Sequence, residues 1–319
     1  MRDRYGGPGV LQLREVETPT PSEGEVLVRV HASSVNMADV DYVLGRPRVA
    51  RLGTGVRQPR ARIPGIDMAG EVTAVGPQAS RYGVGDRVCA DLFEVGSGAW
   101  AGYVAVPEAA LTPIPEQVSS EAAGVTPSAG VFAIQALRDK RPVQAGDRVL
   151  VNGASGNVGP FAVQIAKSLG AEVTGVCRTE KMAMVRALGA DHVIDYTAED
   201  YRASGERYDL IIDVAGRGGV TWLLRSVAPG GGYVVVGANA RGYFESFLFA
   251  PVVGLATGRK MGILMWRVND ATDTADLLEM LADGRIRPHI DSRCPLDEVP
   301  RALACVDAGD FAGKIAVTY

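Results

Sequence analysis

Along the first third of the chain, apolar and polar positions alternate. In Glu25-Val-Leu-Val-Arg-Val-His-Ala-Ser33, Val26, Val28 and Val30 share one face, the period-2 pattern of a strand with one side buried. Gly70–Gly76 and Asp86–Ala90 repeat the pattern over shorter runs. Turn residues bound them at Pro64-Gly65, Gly76-Pro77 and Gly83-Val84-Gly85. Short strands with frequent turns predict a small antiparallel barrel.

Near residue 120 the period changes. A helical stretch begins at Glu121, and Val131–Arg138 continues helix-like after Gly130. From Asp147 onward strands alternate with helices. Arg148–Asn152 is a strand and Pro160–Leu169 a helix with Phe161, Ile165 and Leu169 on one stripe. Ala171–Val176 is the next strand and Lys181–Leu188 the next helix. The runs His192–Asp195, Asp209–Asp213 and Tyr233–Gly237 are further apolar strands. Continuous apolar strands between helices imply a parallel sheet covered on both faces. A helix over Thr274–Ala282 follows, and residues 286–319, ending in the strand-like Gly313–Tyr319, return to the first domain. The expected organisation is one domain from 1–119 with 270–319, and a second from 120–269.

Composition narrows the class. A chain of 319 residues suits two domains, and 47% hydrophobic with 22% charged residues is ordinary for a soluble globular protein. A net charge of −4 gives no general attraction to nucleic acid or anionic membrane. Cys89, Cys177, Cys294 and Cys305 are scattered without a close pair, which fits a reducing compartment, so the expectation is a cytoplasmic protein. No run reaches the length of a membrane span; the greasiest, Phe247–Ala256, is short and interrupted by Pro251 and Gly254.

The chemistry concentrates in Asn152-Gly153-Ala154-Ser155-Gly156-Asn157-Val158-Gly159, a GxxGxxG turn that follows a predicted strand and opens a predicted helix. A side chain at the glycines would obstruct a pyrophosphate or force an unfavourable backbone. The helix start presents unpaired N–H groups and the positive end of its dipole, and Pro160 suits the first turn. Three glycines alone suit any turn; their context makes this a dinucleotide site. About 20 residues on, an NAD site places an acid against the ribose hydroxyls. Here the chain reads Val176-Cys177-Arg178-Thr179-Glu180-Lys181. Arg178 and Lys181 could neutralise a 2′-phosphate while Thr179 donates a hydrogen bond, which points to NADPH. A solvated Arg and Lys at a helix start is the alternative, and Glu180 opposes a phosphate.

In order and spacing, these and several modest motifs make the chain resemble the medium-chain dehydrogenase/reductase superfamily, most of all its zinc-independent quinone oxidoreductase branch. The motifs are Arg4-Tyr5-Gly6, Val35-Asn36-Met-Ala-Asp39, Pro64-Gly65-Ile-Asp67-Met-Ala-Gly70, Gly85-Asp86-Arg-Val88, the glycine turn and Leu188–Tyr196. The resemblance implies an α/β fold: a GroES-like partly open β-barrel built from both chain ends, a Rossmann doubly wound parallel sheet between them, and an active site in the cleft. It places Lys181 and Tyr196 where relatives hold the 2′-phosphate, and Lys314 near a C-terminal Arg that some relatives use. Val214 and Gly237, which follow or end later strands, are the remaining expected cofactor contacts.

Zinc-dependent members carry a Cys ligand in the segment that here reads Ser33-Ser-Val-Asn36, and Gly-His-Glu where this chain has Gly65-Ile66-Asp67. Those positions lack three good ligands, His31, His192 and His289 are far apart, and no metal is expected. Without a Lewis acid the accessible chemistry is hydride transfer to a carbon already activated by conjugation, as in a quinone or α,β-unsaturated carbonyl. The resemblance puts Asn36 at the nicotinamide and substrate carbonyl; Tyr42 is a candidate proton donor or substrate contact. For Asp39 and Asp67 a structural role in the barrel is favoured. Trp100 either lines a substrate pocket or fills core.

Two departures from the family remain. The usual first strand is shortened or absent, and residues 45–62 are rich in arginine, either as a surface loop or as a lid over the cleft. Competing functions are a specialised biosynthetic enoyl reductase or reductive cyclase of the same fold, and a cofactor-binding protein with little turnover. The expected partners are a small-molecule substrate and a second copy of the chain, paired through Gly262–Trp266, with no nucleic acid and no membrane.

Overall fold

The computed structural model describes residues 1–216, 219 and 223–319. Among them the strands, in chain order, are β1 Glu25–Val35, β2 Asp67–Val75, β3 Arg87–Asp91, β4 Tyr103–Pro107, β5 Thr112–Pro113, β6 Arg148–Asn152, β7 Glu172–Cys177, β8 His192–Asp195, β9 Tyr208–Asp213, β10 Val227–Val235, β11 Lys260–Ile263, β12 Ile290–Pro295 and β13 Lys314–Thr318. The helices are α1 Met37–Leu44, α2 Arg51–Thr54, α3 Ser120–Gly124, α4 Pro127–Ala136, α5 Gly159–Ser168, α6 Met182–Ala187, α7 Ala240–Thr257, α8 Ala271–Ala282 and α9 Val299–Ala308. Two compact units result: Met1–Val131 with Val268–Tyr319, and Phe132–Arg267.

In the first unit the sheet order is β12-β13-β1-β2-β3-β5, with β4 also on β1. The long β1 serves three neighbours: Glu25–Arg29 pairs with β4, Ala32–Val35 with β13, and β2 lies along its other side. Register shifts against β2 after Leu27 and Val30 let β1 bend around the core. The alternating valines point inward as their spacing predicts, onto Met68, Val72 and Val88. The first 24 residues contain no strand, and Met1 and Gln12 instead exchange backbone hydrogen bonds of 2.7 and 2.9 Å. Helix α3 packs on β1 and β2, so the second unit begins later than residue 120. Helix α4 starts at Pro127 rather than Val131, because proline suits the first helical turn, where its missing N–H is harmless. The arginine-rich segment folds back on its own unit. Arg46 pairs with Asp41 and Asp307, and Arg51 stacks 4.5 Å from the Tyr5 ring.

In the second unit six parallel strands run in the order β8-β7-β6-β9-β10-β11, the arrangement of a dinucleotide-binding sheet. The central strands are apolar throughout because both faces are covered; Leu150, Ile211, Tyr233 and Val235 form one core cluster. Strand β10 begins at Val227, earlier than the predicted Tyr233, with a register break before Gly232. Helix α7 has no counterpart in the predicted elements. Its apolar residues surround the helix instead of forming a stripe, and Pro251 lies inside it.

Candidate functional site

Strand β6 ends at Asn152 between β7 and β9, where the strand order changes direction and ligands of open parallel sheets bind. Gly153 adopts φ +84°, a conformation that side chains rarely take. Gly159 brings α5 directly onto the turn: a Cβ there would lie 2.3 Å from the Gly153 carbonyl oxygen. Around Gly156 the nearest atom to a Cβ would be 3.5 Å away, so that side of the turn leaves room for a ligand. The Gly153 and Ala154 N–H groups donate to the Val176 carbonyl at 3.1 and 3.0 Å and anchor the turn to β7. Ala154, Ser155 and Val158 are buried beneath it, while Asn157 is half-buried.

Val214 and Gly237 meet the same strand ends. The Val214 N–H donates to the Asn152 carbonyl at 2.9 Å, and the Gly237 N–H to the Asp213 carbonyl at 3.1 Å. The sequence reading missed Asp213, the polar end of an apolar run. Its carboxylate accepts from the Asn152 amide at 2.7 Å and from the Tyr233 hydroxyl at 2.8 Å, and burial pushes its pKa up.

At the ends of β7 and β8 the structure brings together Arg178, Thr179 and Tyr196, with Lys181 closing a short 3₁₀ turn. Arg178 Nε donates to the Tyr196 hydroxyl at 2.8 Å. The sequence reading also missed Asp195, which accepts from the Thr179 hydroxyl and, at 2.7 Å, from that of Thr197. These hydrogen bonds hold its carboxyl below the usual range. Thr179 therefore turns its proton toward Asp195 and not outward, against the expectation of a donor for phosphate.

The first unit holds a different constellation. Lys314 and Asp67 are fully buried. The Lys314 ammonium donates to Asp67 Oδ2 at 3.0 Å and to Asn36 Oδ1 at 2.5 Å. Asp67 Oδ2 also accepts from Ser34 Oγ at 2.6 Å and Asn36 Nδ2 at 2.9 Å, and Oδ1 from the Ser128 N–H at 2.8 Å. Asn36 caps α1, its N–H donating to Asp39 Oδ2 at 2.9 Å in a capping box. Asp39 is buried too, its Oδ1 has no hydrogen-bond partner among the described residues, and burial drives its pKa to about 7. The structural role expected of Asp39 and Asp67 is what these bonds describe.

Three expected roles change here. The Lys314 ammonium is spent inside the barrel and is not presented to a phosphate. Both ends of the Asn36 amide are engaged by the cluster, so it has no free polar atom for a substrate carbonyl. The Tyr42 ring lies beneath the Arg2 guanidinium, 4.4 Å away, its carbonyl accepts from Arg2, and burial raises its pKa, which makes it a poorer proton donor. Trp100 is core, with Nε1 donating to the Ser34 carbonyl at 3.2 Å, yet its edge also lines a surface cleft with Leu13 and Leu296.

Known proteins share this architecture. The alcohol dehydrogenase GroES-like domain model matches residues 22–116, and the zinc-binding dehydrogenase model residues 188–317. The chain is 30% identical to the chloroplast envelope quinone oxidoreductase homolog of Arabidopsis thaliana, across 98% of this chain and 95% of the relative. It is 32% identical to a quinone oxidoreductase of Pseudomonas aeruginosa, across 93% and 92%. The solved quinone oxidoreductase from Coxiella burnetii superposes with a TM-score of 0.86 at 26% identity, covering 100% of this chain and 98% of that one. The chain belongs to the medium-chain dehydrogenase/reductase superfamily, in its quinone oxidoreductase-like branch, and is an oxidoreductase.

The zinc of that family description does not fit these residues. Ser34, Asn36, Ile66 and Asp67 provide one carboxylate and no thiolate or imidazole, and the cation against that carboxylate is the Lys314 ammonium. Among the described residues no group of three or more His, Cys, Asp or Glu could hold a metal. No helix among them is long and apolar enough to cross a membrane.

Proposed function

We propose that the protein is an NADPH-dependent, zinc-independent oxidoreductase acting on a quinone or an α,β-unsaturated carbonyl compound. The observation that carries this reading is the glycine turn at the change in strand order, open beside Gly156, with Arg178, Lys181 and Tyr196 where an NAD site has an acid. When bound, NADPH supplies the hydride. The backbone from Gly153 to Gly159 and the start of α5 take the pyrophosphate, Val214 and Gly237 flank it, and Arg178, Lys181 and Tyr196 take the 2′-phosphate. Asn36 and Tyr42 shape the barrel and are given no contact with the reacting atoms. Asp195 and Glu180 temper the preference for NADPH by adding negative charge beside the phosphate.

A titration of NADPH and NADH against Arg178→Ala and Lys181→Ala tests the reading. Charge-assisted hydrogen bonds contribute about 1.5–3 kcal/mol, so NADPH affinity should fall about tenfold or more and NADH affinity should hold. Equal binding of both cofactors by the native protein sinks the phosphate assignment. A screen of quinones and enones, with and without EDTA, follows. NADPH binding without oxidation by any acceptor favours the reading as a binding protein with little turnover, and a single specialised enone acceptor the biosynthetic one.

The same reading includes a homodimer. Among the described residues strand β11 is the edge of its sheet, and beside it lie Phe247, Val252 and Leu255 of α7 and the nearby Met265, between 65% and 89% exposed. An unpaired edge next to such an apolar patch suits isologous pairing with a second copy. The strand itself, Lys260–Ile263, lies slightly before the expected Gly262–Trp266. Sedimentation should show a dimer that Leu255→Glu with Met265→Glu converts to monomer; a monomeric native protein at tens of micromolar overturns it.

A further inference from the structure

Asp213 ends β9 with 3% of the residue exposed, and both of its hydrogen-bonding side-chain partners are neutral. Tyr233, 1% exposed on β10, donates its hydroxyl to Oδ2, and its own oxygen interacts with Ser246 of α7. Asn152 donates Nδ2 to Oδ1. The Asp213 main-chain carbonyl accepts from the Val236 and Gly237 N–H groups at 2.9 and 3.1 Å. One residue thus ties together the ends of β6, β9 and β10, the strands from which Asn152, Val214 and Gly237 emerge.

Chemistry fixes the direction of the Asn152 amide. A carboxylate offers only acceptors, so the amide must present its NH₂ inward. Turning it over would set carbonyl oxygen against carboxylate oxygen. The Tyr233 hydroxyl holds the other carboxylate oxygen, and the Ala215 N–H also donates to the carboxylate, so it has little freedom to rotate. We propose that Asp213 is a positioning residue of the nucleotide site: it holds Asn152 so that the amide oxygen is what the turn offers to a hydroxyl or amide donor of the bound nucleotide. This rests on the reading that a nicotinamide nucleotide binds at the turn.

Asparagine at position 213 removes the constraint at nearly constant shape. It offers one acceptor oxygen where the carboxylate offers two to Asn152, Tyr233 and the Ala215 N–H, and Asn152 can then pair with it in either orientation. The experiment is a double-substitution cycle on cofactor affinity, followed by nicotinamide fluorescence well below the unfolding temperature. Asp213→Asn should weaken NADPH and NADH alike, by about tenfold for one disordered polar contact. In an Asn152→Ala background the same substitution should change affinity by less than about twofold, because its effect passes through that amide. Tyr233→Phe, which removes one of the carboxylate's donors, should cost about twofold to threefold and should also fall silent without Asn152; it carries the cycle if Asp213→Asn does not fold. Native affinity in Asp213→Asn, or an equal loss with and without Asn152, overturns the proposal while leaving the cofactor reading intact. A native protein that binds neither nucleotide overturns both.

Discussion

The glycine turn of the second unit and the buried cluster of the first are built from equally suggestive motif residues, and they differ in what remains available. At the turn, backbone curvature and missing side chains leave space beside Gly156 and a helix start facing it. In the cluster, Ser34, Asn36, Asp67 and Lys314 satisfy one another inside the barrel. A polar side chain becomes a binding group only if its neighbours leave it unsatisfied, and residue identity alone does not report that.

The sharpest way to break the comparison is Lys314→Met. It strands Asp67 in the barrel, and removing one partner of a buried ion pair costs about 3–5 kcal/mol. Denaturant unfolding should show that loss while NADPH affinity of the folded fraction holds; weaker NADPH binding with unchanged stability would return Lys314 to the phosphate.

Acidity in the cluster is next. Asp39 titrates near 7 when folded against about 3.8 as an ordinary aspartate, so the folded state holds a proton that the unfolded chain releases. Its contribution to stability is undiminished below about pH 4, falls as pH rises toward 7, and is flat above; the full span is about 4 kcal/mol. Asp39→Asn keeps an acceptor for the Asn36 N–H and should erase that slope, gaining stability over the native protein at pH 8 and not at pH 4. Parallel pH profiles for the two proteins would disprove the raised pKa of Asp39.

At the turn, Gly159→Ala forces a methyl group onto the Gly153 carbonyl and should destabilise by about 1–3 kcal/mol while abolishing measurable nucleotide binding. Unchanged binding in a folded Gly159→Ala protein would mean that the close approach of α5 is dispensable. The smallest effect belongs to Asp195→Asn. Removing an exposed charge near the 2′-phosphate should improve NADPH affinity by about twofold to threefold, in a manner that salt suppresses, and leave NADH unchanged. A loss instead would show that Asp195 orders Thr179 for the ligand.

Much of this molecule is local enough to read along the chain. The period-2 valines of β1, the apolar runs of β6 and β9, and the GxxGxxG turn between strand and helix each follow from backbone geometry and from which faces must be buried. Their order made the two-domain family visible, and the Arg178–Lys181 segment, together with the missing zinc donors, is written in neighbouring residues. Helix α7 escaped because an all-round apolar helix has no stripe to recognise, and Asp213 and Asp195 escaped because a polar residue at a strand end looks like any other. Tertiary structure alone decided which polar atoms meet. Lys314 lies 247 positions from Asp67 and Asn152 lies 61 from Asp213. Hydrogen bonds reach only about 3 Å, so their partners exist only once the chain has closed. For that reason the sequence by itself could place the glycine turn between strand and helix, while the fold decided that Asn36 and Lys314 belong to the barrel and Asp213 to the turn.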